Sequence, residues 1–408
     1  MWKLFVLIAI SALLGVWSLV EAQDGRETSS VSYPHGIGAI EPLREAWRTG
    51  AENIYPSHLA ERFEPERLEE LETLLRSTDM ALADALNPFL ESLNVSHTRF
   101  YDRRHQSYYM LRSMFSTRDL DSPQLYTIGV QLDEHDPSLV RAVLEGSPAA
   151  AAGIRRKDRL IAVDGMPFES LLQWQQPNAI ELLLKRENEE VEVRLTPILQ
   201  SFHRSLARAT RASARVLSCD EQRIGYLHLW SGTDNVFLEI LKDSIAEARE
   251  MQLDGFILDL RDGYGGAWWP YLHPFYEDRS EYFAYATRNA QGTSEPMQAD
   301  QASNDDAWTG PLAVIINSGT RSGKESLAFQ FKKGDRATLF GTTTAGAFTS
   351  GLGAFADRPV DYILYLSVQE LILDGTVIEG VGVTPDIVVE DGANYDGPLA
   401  AAMKHLGC

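Results

Sequence analysis

The feature that most constrains the fold is the segment 311–317, which is apolar up to Asn317 and is followed by a serine- and glycine-rich turn and a helix-forming segment. A continuous apolar run is typical of a strand buried on both faces. Residues 255–260 form a second such segment, apolar except for Asp259, and residues 236–251 have apolar side chains at helical spacing. This alternation of strands and helices predicts an α/β domain over residues 223–395.

Length and charge narrow the function classes. A chain of 408 residues is long enough for two to three domains of roughly 100–200 residues each. Its 37 basic and 58 acidic side chains give a net charge of −21. Nucleic-acid binding relies on a basic surface, so we exclude a nucleic-acid partner.

The N-terminal residues have the pattern of an export signal. Lys3 precedes an apolar run at residues 4–20, and small residues at 20–22 precede Gln23. This pattern predicts a signal peptide at residues 1–22 and a periplasmic or secreted protein. The alternative is an uncleaved membrane tether, because the run approaches the roughly 17-residue minimum for a span. The two cysteines, Cys219 and Cys408, could pair, and the sequence leaves this open.

The remaining chain changes pattern several times. Apolar residues recur at helical spacing over residues 40–93, whereas residues 126–197 alternate in the manner of strands. Arginines at steps of four, three and four would share one helix face, which we interpret as the solvated face of a linker. We predict an N-terminal helical region (23–115), a β-rich domain (126–197), a linker carrying Arg204, Arg208, Arg211 and Arg215 (198–222), the α/β core (223–395) and a C-terminal tail (396–408).

The β-rich region resembles a PDZ domain of the bacterial protease type. Residues 146–154 and 158–165 carry the resemblance. Such domains add a peptide as a strand to a sheet edge and hold its terminal carboxylate with backbone N–H groups. The resemblance implies that Ile128, Gly129 and Val130 form that loop. The alternative is a structural spacer that binds nothing.

The strongest candidate for chemistry is Ser322, at the predicted junction between strand and helix. Unpaired N–H groups and the helix dipole at such a junction favour negative charge. Ser322 is therefore a candidate nucleophile, and the N–H of Gly323 could hold an oxyanion. The alternative is a plain N-cap. A phosphate-binding loop is excluded, because Ser318 and Glu325 occupy positions where that motif needs glycine and a hydroxyl.

Four segments together resemble the C-terminal processing (tail-specific) peptidases and their tricorn-core relatives, namely residues 259–266, 311–325, 334–341 and 379–387. The resemblance implies a ClpP/crotonase-like α/β peptidase core behind the PDZ-like domain. One position departs from the tail-specific pattern. Ala347 stands where that branch has the lysine of its Ser–Lys dyad, so this dyad cannot form.

The tricorn-like branch instead uses a histidine upstream of the PDZ-like region, directly after a serine. Ser96 and His97 match that arrangement, and Glu379 matches the downstream glutamate. The resemblance implies that His97 is the general base, oriented by Glu379 through Ser96. Gly323 and Gly265 are the implied oxyanion donors. Neither a metal nor another cofactor is implied.

We therefore predict a serine endopeptidase that cleaves a polypeptide substrate through an acyl-enzyme. The PDZ-like domain would recognise the substrate or gate access. Two alternatives remain: an inactive scaffold of the same fold that binds peptides, and an esterase that uses the same residues. The sequence does not decide whether the protein is a homo-oligomer.

Overall fold

The computed structural model describes residues 33–114, 122–219, 221–356, 362–392 and 395–408. The predicted signal peptide lies outside these residues. The chain forms two compact units: the first extends to Arg103 and includes Ser350–Val368, and the second contains Arg104–Thr349 and Gln369–Cys408. Within the described ranges, every helix is too short or too polar to span a bilayer.

The elements are numbered here in chain order. The α-helices of the described residues are α1 (Ile40–Asn53), α2 (Pro65–Ser77), α3 (Leu82–Ser92), α4 (Gln106–Met114), α5 (Pro148–Ala151), α6 (Phe202–Ser213), α7 (Asn235–Glu250), α8 (Gly323–Lys333) and α9 (Gly397–His405). Their strands are β1 (Arg99–Asp102), β2 (Gln124–Thr127), β3 (Val130–Leu132), β4 (Val140–Val143), β5 (Arg159–Val163), β6 (Met166–Pro167), β7 (Ile180–Arg186), β8 (Glu189–Leu195), β9 (Ile198–Ser201), β10 (Arg215–Cys219), β11 (Gln222–His228), β12 (Gly255–Asp259), β13 (Tyr285–Asn289), β14 (Gly292–Thr293), β15 (Leu312–Ile316), β16 (Thr338–Gly341), β17 (Thr349–Ala356), β18 (Tyr362–Leu373) and β19 (Ile387–Val388).

The first unit contains the predicted N-terminal helices. Trp47 from α1 stacks on Phe89 from α3 with ring centroids 4.7 Å apart, and Phe63 packs edge-on against both rings. Strand β1 pairs antiparallel with β18, so that Arg99 lies opposite Tyr365. The core of this unit is therefore completed by residues from much later in the sequence, which we did not predict.

The PDZ-like region lies in the second unit. Strands β5 to β8 form one sheet in the order β6-β5-β7-β8, and β3 pairs with β4. Ser147 caps α5 by accepting a hydrogen bond from the Ala150 N–H at 3.1 Å. Strands β2 and β3 are separate, because Gly129 between them has φ +85°. A side chain at Gly129 would also collide with Ser147.

The α/β core is built on a six-stranded sheet of the order β10-β11-β12-β15-β16-β19. Strand β10 is antiparallel to β11, and the other neighbouring pairs are parallel. All residues of β12 and β15 are buried, as expected for strands covered on both faces. The predicted fold class, an α/β core with a PDZ domain and a helical N-terminal region, is confirmed.

Two segments differ from their predicted character. The predicted linker contains β9, α6 and β10, and Phe202 and Leu206 of α6 are fully buried. Three of its arginines do lie on the exposed face of α6, whereas Arg215 belongs to β10, with its guanidinium 4.0 Å from the centre of the Tyr226 ring.

The predicted C-terminal tail also differs from expectation, because it forms the packed helix α9. Ala402 of α9 is fully buried in a core shared with Ile257 and Phe340. After the helix, Cys408 forms a disulfide with Cys219, with their Cα atoms 5.5 Å apart. Apolar packing and this covalent link therefore attach the end of the chain to the core sheet.

Candidate active site

Ser322 lies at the junction between β15 and α8 with φ +54° and ψ −133°. Its N–H donates to the carbonyl of Ala347 and to Oε2 of Glu325, both at 3.0 Å. Ser322 is also the N-cap residue of α8, where it pairs with Glu325 in the arrangement of a capping box, so the N-cap alternative stays open. The turn is thus held by Ala347 on one side and by Glu325 on the other.

Glu325 organises the loop on one side of this turn. Its buried carboxylate accepts hydrogen bonds from the Thr344 hydroxyl at 2.6 Å and from the N–H groups of Gly346 and Ala347 at 2.7 and 3.0 Å. Burial raises the pKa of Glu325, and these hydrogen bonds oppose the rise. Glu325 therefore fixes the segment that contains Ala347 beside the Ser322 turn.

The glycine loop lies on another side of Ser322. A side chain at Gly265 would collide with Cβ of Ser322, and its Cβ would lie 2.9 Å from Oγ. A side chain at Gly323 would collide with the carbonyl of Ala267. Both positions therefore need glycine for the backbone to approach the serine.

Several N–H groups of this loop already have hydrogen-bond acceptors. Those of Asp262, Gly263 and Tyr264 donate to Asn317, to Gln131 and to the carbonyl of Trp230. The N–H groups of Gly265 and Gly323 have no acceptor among the described residues. Two N–H donors beside Oγ of the serine are what an oxyanion hole requires.

Residues of the PDZ-like region hold the same loop. Arg141 and Arg156 donate to the buried carboxylate of Asp262 at 3.0 and 3.1 Å. Burial alone would raise the pKa of Asp262, but these two guanidinium groups lower it. Gln131 accepts from the Gly263 N–H at 2.9 Å. The conformation of the glycine loop therefore depends on the PDZ-like region.

Lys324 is fully buried next to the candidate nucleophile. Its ammonium group donates to the carbonyls of Leu229 at 3.2 Å, Arg261 at 3.4 Å and Asp262. Burial lowers its pKa to about 7, against the opposing effect of Asp262 and Asp259. These bonds direct the ammonium group of Lys324 to the ends of β11 and β12. Lys324 therefore does not take the place of the dyad lysine, whose position Ala347 occupies.

A second buried cluster joins the PDZ-like region to β11. The ring of His228 stacks on Trp230 with centroids 3.9 Å apart. Its Nδ1 lies 3.1 Å from Oε1 of Glu145, and its Nε2 lies 2.9 Å from the Arg261 carbonyl. The other carboxylate oxygen of Glu145, Oε2, accepts from the Trp230 indole at 2.6 Å. Burial would lower the pKa of His228, but Asp259 and Glu145 raise it.

The predicted general base lies in the first unit. The backbone of His97 has φ +54°, and its Nδ1 lies 2.9 Å from Oγ of Ser96. The ring packs edge-on against Tyr365 with centroids 5.3 Å apart. Ser96 and His97 are thus hydrogen-bonded to each other, as the predicted relay needs.

The predicted orienting residue, Glu379, lies in the second unit, as does Ser322. Its Oε2 accepts a hydrogen bond from the Phe348 N–H at 2.6 Å. Phe348 follows Ala347, whose carbonyl accepts from Ser322. Glu379 therefore contacts the segment beside the nucleophile, and its link to His97 through Ser96 stays a prediction.

The predicted carboxylate loop lies at the start of β3. Ile128 and Val130 are buried, and the N–H of Gly129 donates to the Thr127 hydroxyl at 3.1 Å. The carbonyl of Gly129 accepts from the Leu144 N–H at 2.9 Å. The loop has the positive φ that such a turn needs at its glycine, and its peptide-binding role stays a prediction.

Several residues that shape the site were not predicted. Glu325 follows Ser322 by three residues, a spacing typical of a capping box, so its contact with the Ser322 N–H could have been predicted. No local signal marks Gln131 or His228, because their partners lie far away in the sequence.

Comparison with known proteins agrees with the fold and identifies two regions. Residues 223–389 match the model of peptidase family S41, and residues 139–195 match that of a PDZ domain. The carboxyl-terminal-processing protease of Synechocystis sp. is 29% identical over 234 residues, which cover 55% of this chain and 53% of that protein. The carboxy-terminal processing protease CtpA of Bacillus subtilis is 25% identical over 322 residues, or 77% of this chain and 65% of that protein.

The chain thus matches about half to two thirds of the length of these relatives. The solved structure of a photosystem II D1 C-terminal processing protease superposes with a TM-score of 0.54 at 21% identity, covering 90% of this chain and 97% of that chain. This likeness supports the fold.

The fold and the matched regions define a peptidase domain preceded by a PDZ domain. The chain carries a serine-type peptidase domain of family S41, and C-terminal processing proteases are among its relatives. The family resemblance predicted from the motifs is therefore confirmed, and the choice of histidine as base stays a prediction.

Proposed function

We propose that this protein is a periplasmic or secreted serine endopeptidase in which Ser322 is the nucleophile. The observation that carries the proposal is the turn at Ser322, a residue at positive φ whose hydroxyl lies beside two glycine N–H groups with no acceptor in the described part of the chain. This combination supplies a nucleophile and an oxyanion site in one place.

In the proposed reaction, His97 takes the proton of the Ser322 hydroxyl while Oγ bonds to the carbonyl carbon of the scissile peptide. The N–H groups of Gly265 and Gly323 hold the negative oxygen that forms. His97 then protonates the leaving amine as the C–N bond breaks, which leaves an acyl-enzyme. Water releases the acyl group by the same sequence, with His97 again as base. Glu379, acting through Ser96, orients the imidazole.

The PDZ domain is proposed to recognise the polypeptide substrate at Ile128, Gly129 and Val130. A PDZ domain binds peptide through backbone groups at a sheet edge, and Gly129 has the positive φ of a tight loop at the start of such an edge. Direct hydrogen bonds from this domain to the glycine loop support a joint role in one reaction.

Location outside the cytoplasm is part of the proposal. The predicted signal peptide supports it, and so does the disulfide between Cys219 and Cys408, since disulfides persist mainly in oxidising compartments.

The test is labelling of the purified mature protein with a fluorophosphonate probe, followed by peptide mapping. We expect the label on Ser322 and its loss in both Ser322→Ala and His97→Ala. His405→Ala is the matched control, because this histidine of α9 is exposed and contacts Thr338 and Phe340 of β16 among the described residues; it should label as the wild type does.

Ala347 at the lysine position of the dyad favours a second candidate, a peptide-binding scaffold without catalysis. Absence of labelling in the wild type, both alone and with peptides present, would support that candidate. Labelling that survives in His97→Ala would exclude His97 as the base. Turnover of small esters without peptide cleavage would indicate an esterase.

A further inference from the structure

The edge of strand β3 that faces away from β4 is hydrogen-bonded to a side chain of the same protein. Nε2 of Gln106 donates to the carbonyl of Val130 at 2.8 Å, and Oε1 of Gln106 accepts from the N–H of Leu132 at 2.8 Å. Gln106 is the first residue of α4. One primary amide therefore satisfies both a donor and an acceptor of the strand backbone.

The opposite edge of β3 pairs with β4. Val130 lies opposite Val143, and the Leu144 N–H donates to the Gly129 carbonyl on that side. In a β-strand, successive residues direct their backbone polar groups to opposite edges, so Val130 and Leu132 share one edge. The groups that contact Gln106 are therefore those that a third strand would use.

A peptide that adds to this edge must present an N–H to the Val130 carbonyl and a C=O to the Leu132 N–H. The amide of Gln106 presents the same pair of groups in the same place. Directly before this edge lies the Gly129 turn, where a terminal carboxylate would end the added strand.

We propose that Gln106 is an autoinhibitory mimic of a substrate peptide, and that a polypeptide with a free C-terminal carboxylate displaces it from strand β3. The inference rests on the proposed role of the PDZ domain in substrate recognition. It adds that this domain is closed to peptides at rest by one side chain of its own unit.

The surroundings of Gln106 allow this exchange without unfolding the helix. Gln106 is half-buried, whereas Tyr108, Tyr109 and Met110 of α4 are buried and anchor the helix. Rotation of the Gln106 side chain alone would uncover the edge. The cost is two hydrogen bonds, which the incoming peptide replaces.

The occupied strand is also the one that contacts the glycine loop. Between Val130 and Leu132, Gln131 accepts from the Gly263 N–H at 2.9 Å and donates to the Gly263 carbonyl at 3.4 Å. A peptide bound along β3 would therefore lie against the strand that positions the oxyanion donors.

The test measures binding in a Ser322→Ala background, so that no peptide is cleaved and the result does not depend on catalysis. The probe is a fluorescein-labelled heptapeptide, Gly-Ser-Gly-Ala-Val-Ala-Leu, with a free carboxylate, and its C-terminal amide is the ligand control. We expect Gln106→Ala to bind the free-carboxylate peptide about tenfold more tightly than the parent, since two competing hydrogen bonds are lost.

Ser113→Ala is the matched control on the same helix, because its hydroxyl donates to the Tyr109 carbonyl within α4; it should bind as the parent does. Gln106→Met keeps the length of the side chain without its hydrogen bonds and serves if Gln106→Ala folds poorly. Folded Gln106 variants that bind no more tightly than the parent would overturn the proposal. So would an equal gain for the amidated peptide, or no binding to any variant.

Discussion

At the scale of single residues, the site depends on backbone geometry around one serine. A non-glycine residue at φ +54° is strained by about 1–3 kcal/mol. The hydrogen bonds from the Ser322 N–H to Glu325 and to Ala347 offset that strain. These bonds hold the strained turn that places Ser322 beside Gly265.

Gly265 should be intolerant of even one methyl group. In Gly265→Ala the added Cβ would collide with Ser322, so the oxyanion donor and the nucleophile must move apart. We expect kcat/KM to fall about 100-fold or more, the usual effect of losing one oxyanion donor. Steady-state kinetics on a peptide substrate measure this. Gly38→Ala, where a Cβ meets no atom within 4 Å, should leave kcat/KM unchanged, and near-wild-type activity of Gly265→Ala would contradict the assignment.

Lys324 should make stability depend on pH. Its pKa is about 7 in the folded protein, against 10.5 for an ordinary lysine. Between these values the unfolded chain binds more protons than the folded one, so stability should rise with pH, by about 1.4 kcal/mol per unit from pH 7 to 9. Urea unfolding of the wild type and of Lys324→Met at both pH values measures the difference. The same pH slope in both proteins would show that Lys324 is charged in the fold.

Some of the site could be predicted from sequence because its residues are local. Ser322 and Gly323 adjoin one strand and one helix, and a glycine loop beside a serine is a short motif. Gln106 and Gln131 could not be predicted, since a neutral amide carries no signal of its partner. Their partners, Val130 and Gly263, are set only by the packing of distant segments.

At the scale of elements, helix α6 carries exposed arginines on one face and buried apolar side chains on the other. Leu206→Ala should lower the free energy of unfolding by about 2–5 kcal/mol, because this fully buried side chain would leave a cavity. Arg208→Ala, on the exposed face of the same helix, should change it by less than about 0.5 kcal/mol. Equilibrium denaturation compares the two. Equally small effects of both substitutions would show that the packing of α6 contributes little to the free energy of unfolding.

Element boundaries were predictable where one periodicity persisted. Helix α8 (323–333) is the helix-forming segment predicted after the serine- and glycine-rich turn, because Ser322 precedes it and apolar spacing continues through it. Strands β17 and β18 were not predicted. Their stability comes from pairing with each other and with β1, and such long-range pairing leaves little trace in local pattern.

At the scale of the whole molecule, the disulfide should be a main contributor to stability. It closes a loop over a sequence separation of 189 residues, and Cys408→Ser should lower the free energy of unfolding by about 3–5 kcal/mol. Chemical denaturation with and without a reductant measures this, and the reductant should have little effect on the variant. If it destabilises both proteins equally, the bond contributes little.

The composition of the first unit has a consequence for biosynthesis. Helices α1 to α3 leave the ribosome early, but Tyr362, Leu364 and Leu366 of their core are made only after residues 104–349. At roughly 5–20 residues per second, this delay is on the order of 10–50 s. During that time Trp47, Phe89 and their neighbours lack part of their cover. Helices α1 to α3 are thus synthesised before residues 104–349 but complete their core only after them, and a chaperone that holds the nascent chain would act on these helices.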